Sequence, residues 1–421
     1  MTPAARVQAA IDILDGLEQS GFPADRFIRE FFRARRYAGS RDRASVTERA
    51  YDVLRHRAEY AHRMPGDGNR ALVIASLLVE ELTLDGIAPL FTGDGYGPPA
   101  LSEAERTLIA HAPPQEPPLA AWCEAPDFLL PELQRRFGDN LLFEMRAFTE
   151  RAPVDLRANT LKAQRADVLR GLWESAFDAQ PTPFAPNGMR IAPGRATASL
   201  QQGALFQSGA FEFQDEAAQL AVVLCGAKPG MRVLDIAAGA GGKSLALAAA
   251  MQNQGEIVAS DIRKSILNQL DERGARAGAS IIRTLPVESL HPDAQFDIVL
   301  VDAPCSGTGT WRRQPELRWR LTPQRLDELN QIQDRLLTQA ATHVKPGGRL
   351  VYATCSILPR ENEDRVTAFL GLHPAFTRIP AHDAWRESRP ARTPPGMAQV
   401  FSASPATTGT DGFFSAVFRR T

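Results

Sequence analysis

With 421 residues, the chain is too long for one hydrophobic core and suits two or three domains. Its 44% hydrophobic and 23% charged residues are ordinary for a soluble globular protein, and the formal net charge is −1. No apolar run approaches the ~20 residues of a membrane span, and the first residues, MTPAARVQAAIDILDGL, form an amphipathic helical pattern rather than a signal peptide. Cys123, Cys225, Cys305 and Cys355 are too few and too scattered for a disulfide framework or a zinc site. The expectation is a cytoplasmic protein without membrane or metal.

Residues 1 to about 130 read as helices, because apolar residues recur at helical spacing in AAIDILDGL, FIREFF, AYDVLR and ALVIASLLVEEL. SGFPAD, GSRD and MPGDGN break them. Residues 26–57 carry ten Arg against four acids, a surface suited to phosphate, although a solvated face would look the same. The Pro-rich stretch at 111–122 reads as a linker or domain edge, and residues 128–150 resume helix. PVDLRANTLKAQRADVLRGLW (153–173) suggests a strand, a turn and a helix, and GMRIAPGRATASL after it shows little regular pattern. The expected domains are a helical one at 1–135, a small α+β one at 136–205 and a larger one at 206–421.

From about 212 onward strands and helices alternate, which implies a parallel sheet covered on both faces. The strands are MRVLDI, GEIVAS, FDIVLVD and RLVYATC. The helical run TPQRLDELNQIQDRLLTQAATHV has Thr322 as N-cap and Pro323 at its first position, and ends at a KPGG turn, 345–348. Residues 389–411 read as a long loop, and GFFSAVFRR as an edge strand.

Chemistry concentrates in this last region. DIAAGAGGKS (235–244) follows an apolar strand, its glycines let the backbone turn and approach a ligand, and the next strand ends on Asp261, an acceptor suited to ribose hydroxyls. This is the logic of a nucleotide-like cofactor site, and Asp235 with the small loop residues leans toward S-adenosylmethionine (SAM). AAGAGGKS nearly fits a phosphate loop, but Ala237 stands where that loop needs Gly. Only five Lys occur in the chain, so Lys243 beside the glycines stands out among the many Arg.

Two further motifs, DAPCSGTG (302–309) and YATCSILP (352–359), each put a cysteine after an apolar strand, where ligands bind in an open α/β sheet. Small polar neighbours (Ser306, Gly307, Thr354, Ser356) argue that Cys305 and Cys355 are reactive, whereas Cys123 and Cys225 read as small core hydrophobes. A thiol attacks as thiolate, so its site must favour that form. Chemistry alone does not say which of the two attacks.

DAPCSGTG, ATCSILPRENE, GAGGKS, RANTLK, FQDEAAQLA and DGFFSAVFRR together resemble the RsmB/Nop2/Sun family of SAM-dependent RNA cytosine carbon-5 methyltransferases. The likeness runs from about 150 to 421, and SRDRASVTERAYDVLR more loosely resembles the NusB-like RNA-binding domain of bacterial ribosomal members. It implies a Rossmann-like SAM-dependent methyltransferase domain, a small α+β subdomain and an all-α N-terminal domain. It implies Cys355 as nucleophile, Cys305 assisting release, Asp302 on the base and Lys243 positioning it. SAM would lie on Ala237, Ala238, Gly239, Ala240, Gly241, Gly242 and Lys243, with Asp261 on the ribose and Asp302 alongside. Arg157, Asn159, Arg312 and Arg313 are candidates for RNA contacts, and Trp311 or Trp319 for stacking on an extruded base. The implied partner is RNA, 16S ribosomal RNA ahead of transfer RNA, with no obligate protein partner. Three positions depart from the family pattern: Ala237 opens the loop, Glu288 is the nearest acid to the third strand's end, and Pro315–Glu316 replaces Pro-Asp. A P-loop nucleotide-binding protein and a non-catalytic RNA scaffold are the alternatives.

Overall fold

The computed structural model describes residues 1–66, 68–80, 82–111, 116–193, 197–388, 390 and 392–421. The Pro-rich linker, GMRIAPGRATASL and the 389–411 loop therefore lie partly outside the described residues, at 112–115, 194–196, and 389 and 391. The chain forms two compact units, one of Met1–Glu150 with Trp311–Arg320, the other of Arg151–Thr310 with Leu321–Thr421.

The first unit is helical. Thr2 caps Pro3–Ser20 by accepting the Ala5 N–H, and Gly21 ends it in the left-handed conformation. Ser102 and Glu105 form a reciprocal capping box on Glu103–Ala110. Asn69–Val79 is buried along almost its whole length and packs with Ile13, Leu14 and Leu17 in one core. Ten residues from the far part of the sequence complete this unit. Arg318 is fully buried, donates to the Phe148 and Arg55 carbonyls, and lies over the Trp311 ring. Glu316, at the position of the expected Pro-Asp, accepts the Ala24 N–H and so satisfies an orphan donor at the start of Ala24–Arg33.

In the second unit a small antiparallel sheet comes first: β1 (Val154–Ala158), β2 (Ala179–Pro181), β3 (Gly188–Ile191) and β4 (Phe211–Phe213), in the order β2-β3-β1-β4. The segment at 188–191, which shows no period in sequence, is a strand because it pairs residue for residue with β1.

The large sheet contains β5 (Arg232–Ile236), β6 (Glu256–Asp261), β7 (Ile282–Pro286), β8 (Phe296–Asp302), β9 (Val344–Thr354), β10 (Phe376–Ile379), β11 (Phe401–Ala403) and β12 (Phe413–Arg420). Its order is β10-β12-β9-β8-β5-β6-β7, with β11 also on β12. β5 to β9 are mutually parallel, and the order reverses between β5 and β8. Alternate residues face opposite layers. Val233, Ile298, Leu300 and Val351 join the core beneath Glu216–Cys225 and Gly242–Ala250. Leu234, Val299, Val301 and Tyr352 meet Leu337 and Phe369 on the other face. This is the doubly covered sheet that the alternation implied, in the Rossmann-like form that the family resemblance implied.

Three readings need correction. GFFSAVFRR is an interior strand, paired with β9 on one side and with β10 and β11 on the other, because Phe376–Ile379 and Phe401–Ala403 supply partners that the sequence did not announce. The 389–411 run is therefore no simple loop: it contains β11 and the helical turn Pro405–Thr408. The KPGG residues fall within the bounds of β9 as an irregularity, where pairing with β8 jumps from Phe296–Val344 to Ile298–Arg349. No described helix is long and apolar enough to cross a membrane.

Candidate active site

Parallel strands bring the motif residues to one edge. β5 leads into the glycine loop, β8 ends on Asp302 with Cys305 three residues later, and β9 ends on Thr354 with Cys355 next. The two sulfurs lie 3.3 Å apart. Both cysteines are free and half-buried, whereas Cys123 and Cys225 are fully buried. Burial pushes those two thiols up, to about 11 and about 12, which suits inert core residues.

The Cys305 thiol is held well above its ordinary value, first by its hydrogen bond to Cys355 and then by burial. A proton therefore favours Cys305 and can be donated toward the Cys355 sulfur. Lys243, the second residue of Gly242–Ala250, places Nζ 2.6 Å from the Asp302 carboxylate. Burial, the largest influence on Lys243, opposes its charge, but the Asp302 carboxylate outweighs it and raises the ammonium's pKa. Phe413 lies under the same ammonium at 5.3 Å.

The DGFF segment reaches this edge through a close backbone approach. Gly309 donates to the Cys355 carbonyl, and its own carbonyl accepts the Gly412 N–H, at 2.9 and 2.8 Å. A Cβ on Gly309 would collide with the Gly412 carbonyl oxygen, so only glycine fits.

The glycine loop is shaped for a ligand. Ala237 has φ +64, a left-handed conformation that a non-glycine residue rarely adopts. Gly239, at φ +55, faces open space, where a Cβ would meet nothing within 4 Å. Asp235 is fully buried, and burial pushes its carboxyl up to about 7. One oxygen accepts from Ser244 at 2.5 Å, and the other has no partner. Asp261 is buried at the end of β6 and accepts the Gly239 N–H at 3.0 Å. It also pairs with Arg263 at 3.0 Å, so its carboxylate is already engaged. Glu288 sits just past β7, exposed, 3.8 Å from Lys264.

The RNA-contact candidates are placed differently from expectation. Arg157 and Asn159 are buried and donate to main-chain carbonyls, Arg157 to Gly242 and Asn159 to Gly209 and Ala277. They tie β1 to the glycine loop and to Lys264–Ala277. Trp311 is fully buried, so it cannot stack on a base; Trp319 is half-buried and donates to the Leu54 carbonyl. Arg312 is buried, and both it and Arg313 already have partners within the protein. A charged or aromatic residue after an active-site motif reads alike in sequence whether it faces solvent or fills a core.

The residue missed in sequence is Glu361. It is fully buried and accepts from both loops that carry the cysteines. Its place in ATCSILPRENE was the available signal.

Residues 222–419 match the family described as "16S rRNA methyltransferase RsmB/F", and residues 125–197 match "Methyltr_RsmF/B-like, ferredoxin-like domain". The chain is 31% identical over 301 residues to a probable ribosomal RNA small subunit methyltransferase B of Synechocystis, covering 70% of this chain and 66% of that one. It is 32% identical over 275 residues to the Bacillus subtilis protein of the same name, covering 63% and 59%. The chain thus spans about three fifths to two thirds of the length of these relatives. The solved structure of PH0851 matches with a TM-score of 0.77 and 26% identity, over 100% of this chain and 99% of that one. These matches converge on one assignment: the chain belongs to the RsmB/F methyltransferase family.

Proposed function

We propose that the protein transfers a methyl group from SAM to carbon 5 of a cytosine in RNA, through a covalent bond between Cys355 and the base. The observation that carries this reading is the thiol pair at 3.3 Å beside the Lys243–Asp302 pair at 2.6 Å. Membership of the RsmB/F family and the names of the curated relatives support 16S ribosomal RNA as the substrate.

Cytosine carbon 5 is a weak nucleophile. A Cys355 thiolate adding at carbon 6 would make an enamine whose carbon 5 attacks a methyl group. Asp302 would hold the ring edge and support protonation at nitrogen 3, drawing electrons from the ring as sulfur adds. Lys243 holds Asp302 in place and supplies positive charge beside it. Release breaks the bond from carbon 6 to sulfur and removes the proton on carbon 5: Cys305 would give its thiol proton to the departing Cys355 sulfur 3.3 Å away, and the thiolate left on Cys305 would take the carbon 5 proton. SAM supplies an electrophilic methyl, and the open backbone at Gly239, the unpartnered Asp235 oxygen and the strand-end Asp261 fit it. A phosphate loop would need its lysine available to phosphate, whereas Lys243 is committed to Asp302. Exposed Arg26, Arg29, Arg33, Arg36 and Arg41 give the helical unit a surface for the RNA backbone.

The test uses labelled SAM and unmodified 16S ribosomal RNA, with 5-methylcytosine mapped by bisulfite sequencing. Wild type should methylate, Cys355→Ala should not, and Cys305→Ala should accumulate a protein–RNA adduct. Adduct in Cys355→Ala instead would exchange the cysteines, and methylation of transfer RNA alone would move the substrate.

A further inference from the structure

The two cysteines sit on separate loops, and a 3.3 Å separation of their sulfurs needs both loops fixed. One carboxylate does this. Glu361 ends the short turn Pro359–Glu361. Its Oε1 accepts from the Ser306 N–H at 2.8 Å and from Gln333 Nε2 at 2.9 Å. Its Oε2 accepts from the hydroxyls of Ser306 and Ser356, each at 2.5 Å. Those serines directly follow Cys305 and Cys355 in sequence. Gln333, on Pro323–His343, also donates to the Pro304 carbonyl at 3.0 Å, which adds a brace behind the Cys305 loop.

We propose that Glu361 is the positioning residue that sets the distance between the two thiols, acting through Ser306 and Ser356. This rests on the reading of Cys355 and Cys305 as the reacting pair. Four donors converge on an acceptor that offers none in its ionised form. Other nearby bonds stay within one loop or run from loop to loop, as from Ile357 N–H to Thr308 Oγ1 at 3.0 Å. Glu361 is the buried charged group that bonds to both cysteine loops among the described residues. Glutamine at 361 would keep the shape, and its carbonyl could still accept from the Ser306 N–H and Gln333. Its NH2 would then face the Ser306 and Ser356 hydroxyls, which must both turn to accept, and all four bonds would lose their charge assistance. The hold on the two loops weakens, and one can shift relative to the other.

The experiment measures thiol spacing without using methylation. Phenylarsine oxide condenses with two neighbouring thiols, forming two As–S bonds and releasing one water. Capture by the full-length reduced protein is followed by intact mass, with Cys305→Ala and Cys355→Ala as negative controls. Glu361→Gln should melt as a folded protein yet capture the arsenical roughly tenfold more slowly. In parallel, its kcat on RNA should fall by about 100-fold with KM for SAM unchanged, because small misplacement of reacting groups costs rate and not cofactor binding. Glu361→Asp should recover part of both. Where Glu361→Gln fails to fold, Ser356→Ala, which keeps the carboxylate and removes one link, carries the same expectation. Wild-type capture and kcat in a folded Glu361→Gln overturn the proposal. Capture that depends on Glu361 in a protein that methylates no RNA supports the positioning and rejects the functional reading instead.

Discussion

The two ends of the large sheet differ in what they hold. At the amino ends lies a cavity of about 590 Å³, lined by Val222, Met231, Ala246, Ala249 and Ile298, with Lys345 paired to Asp297 and Arg349 to Glu387 at its rim. At the carboxyl ends, the Lys243–Asp302 pair and the buried Glu361 lie beside two thiols in contact. Volume alone would point to the first end. The proposed chemistry uses the second, where desolvated charges and thiols in contact cost stability and such groups cluster at functional sites. Convergent polar groups, not this hollow, mark the candidate site in this fold.

The strongest way to break that contrast is Asp302→Asn. It leaves the ammonium of Lys243 buried without its carboxylate and removes the acid proposed for the base. Turnover should fall by roughly 100-fold or more, read as kcat on unmodified 16S ribosomal RNA; near-normal turnover would mean that the charges at the carboxyl ends are structural. A smaller effect is expected in the helical unit. Arg36→Glu with Arg41→Glu, both on exposed positions, should raise KM for RNA and leave kcat unchanged. The salt dependence of binding should weaken by about one unit of slope for each phosphate that is no longer neutralised. An unchanged salt slope would remove those arginines from the RNA surface.

The sheet was legible because its strands are apolar and its glycine and cysteine motifs sit at strand ends. β5, β6 and β8 follow the sequence reading closely, whereas β9 starts at Val344, before the expected turn. The site was legible to the extent that its groups are rare: the few lysines made Lys243 stand out, and two cysteines in small polar surroundings could be told from two in apolar ones. The joints were not legible. Arg157, Asn159, Arg318 and Trp311 have the residue types of a nucleic-acid surface, and only tertiary packing decides that they are interior. β10 and β11 are four and three residues long, too short to carry a period. Glu361 looked like one more charge in PRENE, because a carboxylate's four donors come from two loops and a distant helix.

Asp235 sharpens the contrast through pH. Its carboxyl is raised from 3.8 to about 7 by burial, so the folded state holds a proton that the unfolded chain releases. Stability from this group is present below about pH 4 and is lost as pH rises toward 7, with a slope of up to about 1.4 kcal/mol per pH unit. Asp261, which is lowered despite burial through its bonds to Arg263 and Gly239, contributes in the opposite direction, losing stability as pH falls. Asp235→Asn should flatten the decline between pH 4 and 7 in denaturant titrations. A difference between wild type and variant that does not change with pH would mean Asp235 is ionised in the folded protein.

The smallest effect is expected at the amino ends. Ala249 lines the cavity and is buried, so Ala249→Leu adds apolar volume to a hollow rather than to a filled core. Filling a cavity commonly contributes about 0.5–2 kcal/mol of stability, so the melting temperature should hold or rise. Methylation should stay within about twofold, as for a substitution far from the reacting groups with no shared partners. A loss of turnover approaching that of Asp302→Asn, in a variant that melts normally, would show that the two ends of the sheet are coupled. The hollow would then be part of the proposed activity, and the contrast between the two ends would fail for this protein.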